Sequence, residues 1–141
     1  MAAPSRSVVT VSPSNTVREA IETMAAAKVG SVVVAENGLL AGIFSERDVM
    51  LSVVMEGRDP NVTEVEEVMT TPVITIGTRT TSDEALRIML QEHIRHLPVV
   101  DDRGRVHGIA SIRTLLQEKV DELHLQLDSL ESYITADGIG G

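Results

Sequence analysis

Apolar and polar positions along the chain fall into one sequence of runs that is then gone through again. Val8 to Val11 is a short β-prone run closed by Pro13. Thr16 then precedes a stretch in which Val17, Ala20, Ile21 and Met24 return at helical spacing, which predicts a capped amphipathic helix ending near Lys28. Ser31 to Ala35 and Leu39 to Phe44 are continuous apolar runs around Glu36-Asn37-Gly38. An Asn-Gly step suits the positive φ angles of a tight turn, so the two runs predict a hairpin buried on both faces or nearly so. A further helix opens at Ser45 and runs to about Met55, where Glu56-Gly57-Arg58-Asp59-Pro60-Asn61 breaks it and forms a linker. Beyond the linker the order returns: a helical turn over Val65 to Met69, a strand over Val73 to Ile76 and a helix over Ser82 to Glu92. Strands follow near Leu97 to Val100 and Val106 to Ala110, and a last helix leaves from Ser111.

The likeness of the two halves extends to identities. Thr10 to Met24 aligns with Thr75 to Met89, with Thr10/Thr75, Thr16/Thr81, Glu19/Glu84, Ala20/Ala85 and Met24/Met89 the same. Gly42-Ile43-Phe44-Ser45 meets Gly108-Ile109-Ala110-Ser111 one position later, so a single residue has entered the loop near Arg103. A repeat that tolerates an insertion in a loop is a structural unit. The chain therefore predicts an α/β fold of two β-α-β-β-α units, over 7–60 and 61–119, packed around a pseudo-twofold axis. Any cleft formed between them occurs twice. The last helix finds no Gly or Pro before Asp137-Gly138, and Leu116, Val120, Leu123, Leu127, Leu130 and Ile134 recur at alternating spacings of four and three. Such a heptad seam predicts a coiled-coil-like extension over 120–141 that asks for a second copy of the chain; folding back onto its own domain is the other possibility.

Composition narrows the function. Of 141 residues 43% are hydrophobic, with one Phe, one Tyr and no Trp, so the core is aliphatic and aromatic platforms for stacking single-stranded bases are missing. Twelve basic against 21 acidic residues leave a net charge of −9, which repels nucleic acid and anionic membranes. No cysteine is present, which excludes disulfides, a thiol nucleophile and thiolate metal sites. Met1 to Ser7 has no apolar core of signal-peptide length, and a cytoplasmic location is expected.

The sharpest chemical signal is Gly42-Ile43-Phe44-Ser45-Glu46-Arg47-Asp48, a strand edge that turns into a helix start. Free N–H groups at such a start attract phosphate, Ser45 adds a hydroxyl, Arg47 a cation, and Asp48 a carboxylate able to take both hydroxyls of a ribose. Ser followed three residues later by an acid is equally the signature of a capping box, and that reading stays open. In the second unit Ser45 and Arg47 return as Ser111 and Arg113, whereas Asp48 becomes Thr114, which cannot clamp a diol. One complete site and one degenerate site are expected. His93 and His96 stand three apart, but the helix ends between them and no carboxylate completes a metal site.

The doubled pattern, the Gly-Ile-Phe-Ser-Glu-Arg-Asp segment, Val68-Met69-Thr70-Thr71-Pro72-Val73 and Ile94-Arg95-His96-Leu97-Pro98-Val99-Val100 together resemble a tandem pair of cystathionine-β-synthase (CBS) domains, over roughly Ser7 to Lys119. The resemblance implies a regulatory module that binds an adenine nucleotide, with Asp48 on the ribose hydroxyls and Ser45 on the sugar-phosphate. It further implies a base pocket of Val9, Gly30, Ser31 and Val32, with Thr71, Val73, Leu97 and Pro98 at the degenerate site. Arg95 and His96 fall where family members meet phosphate, in their own cleft or in the other. Association into discs through helices is also implied, hence a homodimer. The first unit has no counterpart of Val65 to Met69, because the chain begins there, and its cleft is expected to be less covered.

No cofactor, metal or covalent chemistry is expected, and no Ser or Thr has a His or Lys at a recognisable catalytic spacing. No catalytic or effector domain fits beside the two units, so output would pass to an unidentified protein partner. The competing reading is a scaffold that has lost its ligand and acts through the last helix.

Overall fold

A computed structural model describes residues 2–136. The first long helix of each unit is closed at both ends by its own sequence. Helix α1, Val17–Ala27, opens on a capping box in which Thr16 Oγ1 accepts from the Glu19 N–H at 3.1 Å and the Thr16 N–H donates to Glu19 Oε1 at 2.9 Å. It stops where Lys28 turns left-handed at φ 57°. The second unit repeats the device in α4, Ser82–Glu92, with Thr81 and Glu84 at the start and His93 at φ 56° at the end. His93 is thus a cap, while His96 opens a strand, and the two share no helix.

Strands β1, Thr10–Val11, β2, Ser31–Glu36, and β3, Leu39–Ser45, form a sheet in that order, β1 parallel and β3 antiparallel to β2. Asn37 and Gly38 make the predicted turn at φ 54° and 81°. The second sheet sets β4, Ile76–Gly77, beside β5, His96–Val100, and β6, Val106–Ser111. Its outer strand is shorter than the expected Val73 to Ile76. The Val33 N–H reaches back to the Val9 carbonyl at 3.1 Å, but Val33's counterpart is Pro98, which has no N–H to give, so Val73 and Ile74 lie ahead of the ladder.

The helix expected from Ser45 to Met55 divides. α2, Glu46–Asp48, passes at once into a π-helical turn over Val49–Val54. That turn buries Val53 and leaves Met50, Leu51 and Val54 exposed. A four-residue helix α3, Val65–Val68, follows the linker, and α5, Ile112–Ala136, ends the described chain. The predicted stop at Asp137-Gly138 lies outside the described residues.

The first core gathers Val17, Ala20, Met24, Val32, Val34, Phe44 and Val53, and takes Val65 and Val68 from α3. The second gathers Ile76, Ala85, Met89, Leu97, Val99, Ala110 and Leu115, with Ala3 packed against it. Each unit is therefore finished by the segment that precedes the other. Val65 N donates to the Asn15 carbonyl at 2.8 Å, and Ile43 and Thr70 exchange main-chain bonds of 3.0 and 2.8 Å. On the other side Ala3 N donates to the Thr80 carbonyl at 2.7 Å, and Arg6 and Ile109 exchange bonds of 3.1 and 3.2 Å. The repeated glycines permit this approach. A Cβ on Gly42 would stand 2.6 Å from Met69 Sδ and 2.9 Å from the Thr70 carbonyl, and one on Gly108 would stand 2.8 Å from the Arg6 carbonyl. The expectation of a less covered first cleft is corrected: Val65 to Thr70 cover the first unit, and residues 2–6 take the equivalent place on the second.

Candidate functional site: the cleft between the units

Residues paired directly across an antiparallel ladder share a face. Val32 and Phe44 look toward the helices and belong to the first core, which leaves Ser31 with Ser45, and Val33 with Ile43, on the other face. In the second sheet Leu97 pairs with Ala110 in the core, and the face left over carries His96 with Ser111 and Pro98 with Ile109. Val32 and Leu97, expected to line base pockets, are core residues instead. Their alternating neighbours Val33 and Pro98 hold the cleft-side positions.

A cavity of about 190 Å³ lies between the two units. From the first unit it is lined by Ser7, Val8, Val9, Ala27, Val29, Ser31 and Val33, and from the second by Ile109, with Arg6 of the leading segment. Two of the expected residues, Val9 and Ser31, are thus brought together here. Gly30 adjoins them: its carbonyl accepts from the Glu46 N–H at 3.0 Å, and a Cβ there would stand 3.3 Å from the Glu46 carboxylate.

Asp48 and Ser45 stand at the β3–α2 junction outside that lining. Asp48 Oδ2 accepts from the Ser45 N–H at 2.9 Å and from Ser45 Oγ at 3.1 Å, while the Asp48 N–H points back at Ser45 Oγ at 3.4 Å. Asp48 Oδ1 accepts from Thr70 Oγ1 at 2.8 Å. The capping-box reading of this segment is what the geometry displays, with a hydroxyl from the inter-unit segment added. Arg47 is exposed beside it.

In the second unit Thr114 Oγ1 accepts from Ser111 Oγ at 2.9 Å and the Thr114 N–H donates to Ser111 Oγ at 3.2 Å. Arg113 and Thr114 line an open cavity of about 540 Å³ with Pro4, Gln117, Glu118 and Asp121. Thr71 is exposed and Val73 half-buried. Arg95 is exposed, and its carbonyl accepts from the Ile112 N–H at 2.8 Å. His96 is half-buried; burial, then the charges of Arg6 and Arg95, hold its pKa below the usual imidazole value.

Sequence reasoning found Val9 and Ser31 but missed the rest of the cavity, Arg6, Val33 and Ile109 among them, and Thr70 on Asp48. The doubled glycine was the signal for two of them, since a residue without a side chain at matching strand positions marks close approach by other backbone. Among the described residues no helix is long and apolar enough to cross a membrane.

The family model of the CBS domain matches residues 2–54 and 65–121. A curated protein of Methanopyrus kandleri is 37% identical over 113 residues, which cover 79% of this chain and 58% of that protein. The chain thus spans a little over half the length of that relative. A solved CBS-domain-containing protein from Agrobacterium tumefaciens superposes with a TM-score of 0.71 at 36% identity, covering 81% of this chain and 90% of that one. The cytosolic domain of the Mg²⁺ channel MgtE, solved in complex with ATP, superposes with a TM-score of 0.67 at 30% identity, covering 78% of this chain and 44% of that one.

Proposed function

The chain belongs to the CBS-domain family, and from that premise we propose that it is a non-enzymatic regulatory module binding an adenine nucleotide in the cleft between its two units. One observation carries the reading: a cavity between the units is lined by apolar Val9, Val33 and Ile109 together with polar Ser31 and cationic Arg6. Apolar walls with a few convergent polar groups are what a small-molecule site requires. The ATP complex of the related MgtE domain supports an adenine nucleotide as the ligand.

Asp48 is assigned to the ribose and Ser45 to the sugar-phosphate. A cavity of about 190 Å³ is below the roughly 300–1,000 Å³ of sites for whole drug-sized ligands, so it takes part of a nucleotide. For Asp48 to grip a diol, Thr70 must give up its bond to Oδ1. Binding is thereby coupled to the segment that joins the units, which supplies a route from ligand to output. A second copy of the chain docks through α5, an unidentified protein receives the signal, and the cytoplasm is the compartment.

The alternative, a scaffold without ligand, is favoured by one observation: both carboxylate oxygens of Asp48 are engaged, in capping its own helix and in holding Thr70. A thermal-shift series with AMP, ADP, ATP and adenosine separates the two. At a hundredfold over Kd a bound nucleotide adds about 2.7 kcal/mol of stability. The expected outcome is a raised midpoint with at least one nucleotide, abolished in Asp48→Ala; no shift with any of the four supports the scaffold.

A further inference from the structure

Arg6 belongs to neither β-α-β-β-α unit, yet it stands where they meet. Its main chain adds to the free edge of β6 through the paired bonds to Ile109, so its position is set by backbone and not by its side chain. Paired with Ile109, it lies on the sheet face that also carries Pro98, His96 and Ser111. Arg6 lines the inter-unit cavity together with Val9, Ser31 and Val33 of the first unit. The second unit thus holds a residue that lines a cavity built mostly by the first.

Some surface cations of this chain meet a carboxylate, as Arg18 does with Glu22 at 3.0 Å and Lys119 with Asp83 at 3.2 Å. Among the described residues neither Arg6 nor Arg95 meets one within ion-pair distance. Both instead lie near enough to His96 to disfavour its proton. Of these groups Arg6 lines the cavity, and a guanidinium without a carboxylate partner there is complementary to an anion.

Resting on the nucleotide reading above, we propose that Arg6 contacts the phosphate of the ligand and sets the preference for a nucleotide over a nucleoside. Charge-assisted bonds from a guanidinium to phosphate oxygens are stronger than neutral ones and can be bidentate. The leading segment therefore acts as part of the site, and its anchoring on β6 ties phosphate recognition in the first cleft to the second unit.

Calorimetric titration of the whole chain tests this, using whichever of AMP, ADP and ATP binds, beside adenosine, with wild type, Arg6→Gln and Arg6→Lys. The expected result is that Arg6→Gln binds the nucleotide at least about tenfold more weakly, keeps its adenosine affinity, and melts as wild type does, while Arg6→Lys recovers part of the loss. Nucleotide affinity within about twofold of wild type in Arg6→Gln overturns the assignment and leaves the nucleotide reading standing. Equal weakening of adenosine and nucleotide also overturns it, because Arg6 would then only shape the cleft. Wild type binding none of the four compounds removes both.

Discussion

A carboxylate offers about four lone-pair positions, and Asp48 has committed three, two on Oδ2 to Ser45 and one on Oδ1 to Thr70. Sequence spacing discloses the first two, since a cap is local; the third comes from a residue 22 positions on and is invisible until the chain folds. Ser31 was legible as a cleft residue and Val32 was misplaced for one reason: a continuous apolar run does not say which of two alternating faces meets the helices and which meets the other unit. His96, facing Arg6 and Arg95, supports a pH prediction. Its folded pKa lies below the value of about 6.5 in the open chain, so as pH falls the unfolded chain takes the proton first. The corresponding stability is present above pH 6.5 and lost on acidification. Urea unfolding at pH 7 and pH 5 is expected to show a smaller loss in His96→Gln than in wild type; equal losses would assign the acid sensitivity to other groups.

Among the elements, the helices with caps and the Asn-Gly hairpin were read correctly because each carries its own boundary signals, Thr16 with Glu19 and Thr81 with Glu84. The short β4 and the π-helical turn after Asp48 were not, since ladder partners and winding are decided by neighbours. Helix α5 poses the sharpest question at this scale. Leu115 is buried and Lys119 is tied to Asp83, but from Asp121 to Tyr133 every residue is exposed, and the seam residues Leu123, Leu127 and Leu130 are 49–56% exposed. Helix in isolation is marginal in water and needs a packed face. Sedimentation velocity is expected to find a dimer of the wild type and a monomer of Leu123→Glu/Leu130→Glu, with loss of helical ellipticity. A dimer that survives both changes would move the interface to another surface, the exposed Met50, Leu51 and Val54 being the next apolar face.

At the level of the whole molecule, duplication was plain from Thr10 to Met24 against Thr75 to Met89, but the crossing of segments was not. Nothing in Val65 or Val68 says that they serve the preceding unit, since an apolar pair on one helical turn fits either core. The hairpin ends also meet: Leu40 N donates to the Gly104 carbonyl at 3.1 Å and Val106 N to the Gly38 carbonyl at 2.9 Å. The loop insertion near Arg103 therefore falls at a contact between the units, which the pattern alone did not disclose.

A necklace closed by two reciprocal clasps cannot lose one bead. With Val65 and Val68 locked into the earlier half and Ala3 into the later, melting either half strips the other of backbone partners and core volume. Scanning calorimetry is accordingly expected to record one transition whose van't Hoff and calorimetric enthalpies agree, and two resolved peaks would mean that the clasps are weaker than the halves they join.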